Sequence, residues 1–135
     1  MTGLMVCGAV LVLASAFGLL RAHRDGRLRV KGGAVRLTAA DLGGELGERA
    51  TLVQFSTAFC QPCRATRRVL AEVSGMVEGV AHVEIDAESR LDLVRRLDVL
   101  RTPTVLVLDA TGRVIRRAAG QPRRADVVAA LGEAV

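Results

Sequence analysis

A short, mostly apolar run, Leu52-Val53-Gln54-Phe55, gives way within five residues to a stretch in which Cys63, Thr66, Leu70, Val73 and Val77 share one stripe. Strands repeat with a period of two and helices with a period of about 3.6, so this handover reads as a buried strand feeding an amphipathic helix. Cys60 and Cys63, with Pro62 between them, stand where the helix opens. A strand that turns straight into a helix commits the chain to an α/β architecture, because the helix must bury its apolar stripe against a sheet.

The remaining chain follows the same alternation. Aliphatic runs at 34–37, 52–55, 81–85, 104–108 and 114–117 read as strands, and 39–46, 60–77, 89–97 and 124–134 read as helices. The order β-α-β-α-β-α-β-β-α predicts an α/β sandwich with helices covering a central sheet. Asp109-Ala110-Thr111-Gly112 is the turn of a closing hairpin.

Before this domain, residues 1–20 carry no charged side chain. Twenty helical residues reach about 30 Å, the thickness of a bilayer's hydrocarbon core, so the segment reads as a transmembrane anchor. A cleaved signal peptide is the competing reading, since Ala14-Ser15-Ala16 has the small-x-small form of a cleavage site. The basic leader such a peptide requires is missing. Basic residues follow the span instead, at Arg21, Arg24, Arg27, Arg29, Lys31 and Arg36, against a single Asp25. The division is therefore a transmembrane anchor over 1–20, a basic juxtamembrane linker over 21–33 that lies against anionic headgroups, and one globular domain over 34–135. Clustered lysine and arginine tend to remain cytoplasmic, which places a single-pass protein in the cell membrane with its soluble domain in the cytoplasm.

Charge and composition exclude other classes. The net charge is +5, but 18 of the 19 basic residues are Arg scattered along the chain, and Trp and Tyr are absent. A single-strand nucleic-acid groove needs aromatic platforms beside its basic residues, so no nucleic-acid partner is expected. With aromatics at 2%, the core must be built from Val, Leu, Ile and Ala. Three cysteines, two of them in one Cys-x-x-Cys and the third, Cys7, inside the apolar segment, do not make a disulfide framework.

The placement of the cysteine pair carries chemistry. At the first turn of a helix the unpaired backbone N–H groups and the dipole favour an anionic thiolate, which makes Cys60 the candidate nucleophile. Pro62 suits that turn, where its missing N–H costs little. Helical spacing sets Cys63 on the apolar stripe and Cys60 toward Arg64 and Arg68, so one sulfur faces inward and one outward. The outer thiolate can attack a substrate disulfide and the inner thiol, one turn away, can resolve the mixed disulfide. Arg64 adds positive potential beside the nucleophile. Half of a zinc site is the first competing reading, but it lacks two ligands in a chain offering only His23, His82 and Cys7. A pair of buried core cysteines is the second. Neither metal nor cofactor is expected.

Three segments in this order, Leu52-Val-Gln-Phe-Ser-Thr-Ala-Phe-Cys-Gln-Pro-Cys-Arg64, Leu100-Arg-Thr-Pro-Thr-Val-Leu-Val-Leu108 and Gly112 to Gly120, resemble the active-site, proline and closing-hairpin segments of thioredoxins. The resemblance covers about 34–135. It implies a thioredoxin-like three-layer sandwich, a central mixed sheet with helices on both faces. It also implies a cis peptide at Thr102–Pro103, with Thr102 pairing with an extended substrate strand and Pro103 shaping the substrate groove. Many anchored proteins of this kind carry the redox domain outside the inner membrane, which makes an extracytoplasmic domain the alternative placement.

Three positions depart from the family pattern. Gln54 stands where thioredoxins usually carry a buried Asp that helps deprotonate the inner cysteine. His82 aligns with that Asp's usual Lys partner, which makes it a candidate proton relay, set against the plainer reading of a core or surface histidine. Ser56 and Phe59 replace residues that are commonly Trp, and Gln61 replaces the familiar Gly between the cysteines.

The function these features imply is thiol–disulfide exchange with protein substrates at the membrane. Cys60 and Cys63 are its catalytic pair, Phe59, Gln61, Pro62 and Arg64 support it, and an electron donor or acceptor recycles it. Two alternatives stand beside it: a non-catalytic binding or assembly module on the same fold, and a persulfide-handling partner of a sulfurtransferase.

Overall fold

The computed structural model describes residues 1–24, 26, 29–30 and 35–135, with backbone alone at 29–30. In chain order the elements are α1 (Thr2–Arg24), β1 (Arg29–Val30), α2 (Ala39–Leu42), β2 (Ala50–Ser56), α3 (Gln61–Met76), β3 (Val80–Asp86), α4 (Leu91–Arg96), β4 (Thr104–Asp109), β5 (Val114–Ala119) and α5 (Arg124–Ala134).

Five strands form one mixed sheet in the order β1-β5-β4-β2-β3. The β2–β3 pair is parallel, as a crossover through α3 demands, and the other pairs are antiparallel. Every residue of β2 is buried, because this strand lies inside the sheet and both its faces are covered. The period-two alternation then sorts its side chains. Val53 and Phe55 join Leu42 of α2, Leu93 of α4 and Leu97 in one core, with Leu106 and Leu108 of β4. Ala50 and Leu52 join Leu70 and Val73 of α3 and Val127 and Leu131 of α5 in the other, with Val105 and Val107. The result is the three-layer sandwich the resemblance implied, with an apolar helix ahead of it.

Local chemistry sets the helix limits. Thr38 accepts from the Asp41 N–H while the Asp41 carboxylate accepts from the Thr38 N–H, a reciprocal cap that starts α2. Gly43, left-handed at φ 69°, stops the helix after one turn, short of the 39–46 expected from periodicity.

The start of the sheet differs from the sequence reading. Of the expected first strand at 34–37, Ala34 lies outside the described residues, and Arg36 makes only an isolated bridge with Arg113. Its place in the ladder is taken by β1, where Arg29 and Val30 pair with Arg117 and Arg116 of β5. The stretch 21–33, read as a linker, thus holds an edge strand, and α1 continues four residues past Leu20. Gly26, at φ 76°, donates its N–H to the Ala119 carbonyl at 2.9 Å, which ties the chain leaving α1 to the end of β5.

Among the described residues, α1 is the helix long and apolar enough to cross a membrane, with mean hydropathy 2.3 over its best window, and none of it is buried against the domain.

Candidate active site

β2 carries the chain to Ser56, and Thr57-Ala58-Phe59 turn it onto α3. Cys60 is the N-cap of that helix, with extended φ and ψ of −105° and 103°, and its sulfur accepts the Cys63 N–H at 3.2 Å. One of the orphan donors of the helix start is therefore spent on the Cys60 sulfur, which stabilises negative charge there. Pro62 sits in the first turn, and its carbonyl accepts from the Thr66 hydroxyl at 2.8 Å.

The two cysteines are joined as a disulfide, with Cα atoms 5.2 Å apart. Their environments differ: Cys63 is 1% exposed, whereas Cys60 is half-buried at the surface. Phe59, Gln61, Pro62 and Arg64 are all exposed around the outer sulfur, and Phe59 projects fully into solvent at 101%. Phe59, Cys60, Gln61 and Arg64 line a cavity of about 130 Å³.

Across from this turn, the Thr102–Pro103 peptide is cis and Pro103 is buried. The Thr57 and Thr102 hydroxyls lie 3.1 Å apart, and the Gly120 N–H donates to the Pro103 carbonyl at 2.8 Å, so the loop before β4 is held both to the cysteine loop and to the end of β5. A neighbouring hollow of about 350 Å³ is lined by Thr57, Leu91, Val94, Leu100 and Thr102 among others. Leu100 at its rim is 87% exposed.

Beneath the dithiol, Gln54 is fully buried. Its Nε2 donates to the Cys63 carbonyl at 2.8 Å and to the Ser56 hydroxyl oxygen at 3.0 Å, while its Oε1 is buried with no hydrogen-bond partner. In the parallel register Gln54 is opposite Glu84 and Leu52 is opposite His82, which puts all four side chains on the face that α3 covers. The Arg67 guanidinium of α3 makes a two-pronged bond to the Glu84 carboxylate. That bond and the positive charge of Arg67, with a smaller contribution from His82, hold the Glu84 carboxyl below its ordinary range against the opposing effect of partial burial. Burial pushes the His82 imidazole below its ordinary value, with Glu84 opposing and Arg67 adding to the effect, and His82 Nε2 has no hydrogen-bond partner.

Of the residues singled out in the sequence, Phe59, Cys60, Gln61, Pro62, Cys63 and Arg64 form one turn. Thr102 is tied to that turn through Thr57. His82 sits on the same face of the sheet as Gln54, two register pairs away from it. Thr57, Glu84, Arg67 and Leu100 were not singled out. The signal for Glu84 was a carboxylate two residues after His82 in a mostly apolar strand, and it gained meaning only with the register.

The sequence profile of the Thioredoxin family matches residues 35–133. Among curated relatives, the human thioredoxin domain-containing protein 2 is 37% identical over 60 residues, covering 44% of this chain but only 11% of that protein. A thioredoxin of Staphylococcus epidermidis is 27% identical over 74 residues, covering 54% of this chain and 71% of its own length. Solved structures share the fold: a mutant thioredoxin from Halobacterium salinarum superposes with a TM-score of 0.59 at 17% identity, over 64% of this chain and 75% of that one. Thioredoxin NaTrxh from Nicotiana alata gives 0.57 at 23% identity, over 64% and 74%. With a profile match across nearly all of the folded domain and the cysteine pair at the opening of α3, the chain belongs to the thioredoxin family.

Proposed function

We propose that this chain is a membrane-tethered thiol–disulfide oxidoreductase acting on protein substrates close to the bilayer. The observation that carries the reading is the unequal pair at the start of α3: a half-buried Cys60 sulfur that accepts the Cys63 N–H, and a buried Cys63 one turn behind it. In the reduced protein, the Cys60 thiolate attacks a substrate disulfide, forms a mixed disulfide and releases one substrate thiolate. Cys63, deprotonated, then attacks the Cys60 sulfur, releases the second substrate thiolate and leaves the Cys60–Cys63 disulfide. The substrate gains two electrons and the pair loses two; an external dithiol donor restores it, and the reverse direction oxidises a substrate dithiol.

Phe59, Gln61 and Arg64 border the attacking sulfur, Thr102 offers backbone to an extended substrate segment, and Pro103 shapes the groove that receives it. His82 as proton relay for Cys63 belongs to the same proposal. Unchanged exchange kinetics in His82→Ala would remove it.

The membrane part of the proposal rests on α1, which serves as an anchor ahead of the domain whose sheet opens with β1. Tethering raises effective concentration toward partners in the same bilayer and limits reach. The basic residues after the span favour a cytoplasmic domain. Labelling of Cys60 by a membrane-impermeant thiol reagent in intact cells would place it outside.

The deciding experiment is reduction of a protein disulfide, such as that of insulin, by the full chain in detergent with a chemical dithiol as donor. Turnover above the donor alone, abolished in Cys60→Ser and converted to an accumulating mixed disulfide in Cys63→Ser, is the expected result. No turnover with retained partner binding would move the chain to the non-catalytic class. A persulfide trapped on Cys60 of Cys63→Ser after exposure to a sulfurtransferase would move it to sulfur handling.

A further inference from the structure

One carbonyl fixes where the anchor meets the domain. Ala119, the last residue of β5, accepts the Gly26 N–H at 2.9 Å and the Arg101 guanidinium at 3.2 Å. Gly26 is two residues past the end of α1, and two residues span at most about 7 Å, so α1 ends close to Ala119. In the β-ladder Ala119 pairs with Thr104, and Thr104 pairs with Phe55. Ser56 and the cysteine turn follow directly on Phe55, and the Gly120 N–H donates to the carbonyl of the cis Pro103. The chain therefore enters the domain at the end of the sheet that holds Cys60, about 15 Å from β2 by the spacing of neighbouring strands. From there it runs away from that end, since Arg29 pairs with Arg117 and Val30 with Arg116, in descending order along β5.

The same end carries the most exposed apolar side chains of the domain. Among the described residues from 35 onward, Phe59 and Leu100 are the two large hydrophobics most open to solvent, and Leu91 joins Leu100 at the hollow beside Thr57 and Thr102. Arg64, Arg101 and Arg123 are also exposed at this end, against Glu88 just past β3 and Asp126 in the first turn of α5. Apolar tips in a basic surround suit a layer of anionic headgroups over acyl chains, where Phe and Leu enter the boundary and Arg stays among the phosphates. The hairpin turn at the other end of β4, roughly 20 Å away along the strand, exposes Ala110 and Thr111 instead.

We infer that the active-site end of the domain faces the bilayer that holds α1, with Phe59 and Leu100 in the headgroup layer, so that Cys60 is presented to disulfides at the membrane surface. The inference rests on the proposed tethered exchange reaction and names its substrate class: juxtamembrane disulfides of proteins in the same bilayer. The Cys60 thiolate bonds to one sulfur of such a disulfide and the other leaves as a thiolate; Cys63 then frees the first by closing the Cys60–Cys63 disulfide. What the facing adds is effective concentration, because a disulfide confined to the surface meets a sulfur held at the same level.

Depth in the bilayer is the first test. The full chain, with Cys60→Ser and Cys63→Ser so that a single thiol takes a fluorophore, is placed in vesicles of phosphatidylcholine and phosphatidylglycerol. The label goes on the native Cys7 or, with Cys7→Ser, on Leu100→Cys or Ala110→Cys. A nitroxide on the lipid headgroup is expected to remove most of the emission at Leu100→Cys and little at Ala110→Cys, while a nitroxide on the acyl chain quenches Cys7. Equal quenching at the two domain sites, or stronger quenching at Ala110→Cys, overturns the facing. If Cys7 escapes the acyl-chain nitroxide, α1 is no anchor and the tether falls together with the facing. Quenched Cys7 with unquenched Leu100→Cys strikes the facing alone.

Exchange supplies a second readout. In the same vesicles the reduced wild-type chain meets a pyridyl disulfide carried on a phosphatidylethanolamine headgroup, or a soluble pyridyl disulfide, and released thiopyridone reports the rate. Leu100→Asp is expected to slow the headgroup reaction about tenfold, in scale with the burial of one leucine, and to keep the soluble rate. Ala110→Asp changes neither. Equal slowing on both substrates would place Leu100 in the exchange site itself, and an unchanged headgroup rate would show that it does not meet the bilayer; either overturns the inference. Headgroup-level quenching at Leu100→Cys, in a protein whose wild type reduces neither disulfide, upholds the facing and counts against the exchange reaction instead.

Discussion

The hydroxyl oxygens of Thr57 and Thr102 lie 3.1 Å apart, joining the loop that delivers Cys60 to the loop that carries Pro103. These loops are 45 residues apart in sequence, and this bond is a direct side-chain tie between them. Thr57→Val and Thr102→Val are each expected to cost about 1 kcal/mol of stability, with the double variant costing little more than one. Chemical denaturation of the four proteins measures this. Fully additive losses would show that the two hydroxyls do not share a bond.

Two phenylalanines four residues apart have opposite roles. Phe55 is fully buried between β2 and the helices α2 and α4, so Phe55→Ala is expected to destabilise the domain by about 3–5 kcal/mol. Phe59 touches solvent on all sides, so Phe59→Ala should leave stability within about 0.5 kcal/mol. The same substitution should raise KM for a protein disulfide while sparing a small one. Thermal melts alongside kinetics on both substrates separate these effects.

Burial depresses the His82 pKa, so the unfolded chain binds a proton at this position more readily than the folded one. Its contribution to stability is full above the unfolded value, about 6.5, and is lost as pH falls from there through the lower folded value. Urea midpoints recorded between pH 7.5 and 5 should fall in the wild type, and His82→Gln should flatten that fall. Glu84 acts in a lower window: its folded pKa lies below the ordinary 4.5, so its contribution persists until pH drops past that value.

Gly26 cannot take a side chain where it sits. Its φ is 76°, and a Cβ there would come within 1.9 Å of the Gln121 carbonyl oxygen. Gly26→Ala should break its bond to Ala119 and release the stretch leading out of α1 from the end of β5, with about 1–3 kcal/mol lost. Hydrogen exchange should show faster amide exchange at the β5 edge, with protection in β2 unchanged. Retained protection at that edge would mean the tie is not made by Gly26.

What could be read without the fold is what local rules govern. The switch of apolar period from two to 3.6 around Cys60 marked β2 and α3, and the same periodicities marked β3, β4, β5 and α5 to within a few residues. They work because each element must present an apolar face of its own period to the core. The inner and outer placement of the two cysteines followed from helical spacing alone, and Cys63 is indeed buried where Cys60 is not.

Long-range pairing decided the rest. A two-residue strand such as β1 has no period to detect, and Arg29 and Val30 become a strand only because the β5 edge offers them partners. The run at 34–37 has strand composition, yet Arg36 finds only an isolated bridge. The setting of Cys63 shows the same division. Gln54 is nine residues from Cys63 and Glu84 thirty residues from Gln54, and nothing local links them. The parallel register of β2 and β3, set by the crossover through α3, sets Glu84 opposite the buried Gln54, whose amide donates to the Cys63 carbonyl. Sequence determined the identity of the strand, the helix and the two thiols, because those obey near-neighbour geometry. The surroundings of the inner thiol were decided by tertiary structure alone, because hydrogen-bond partners between strands exist only once the register is chosen.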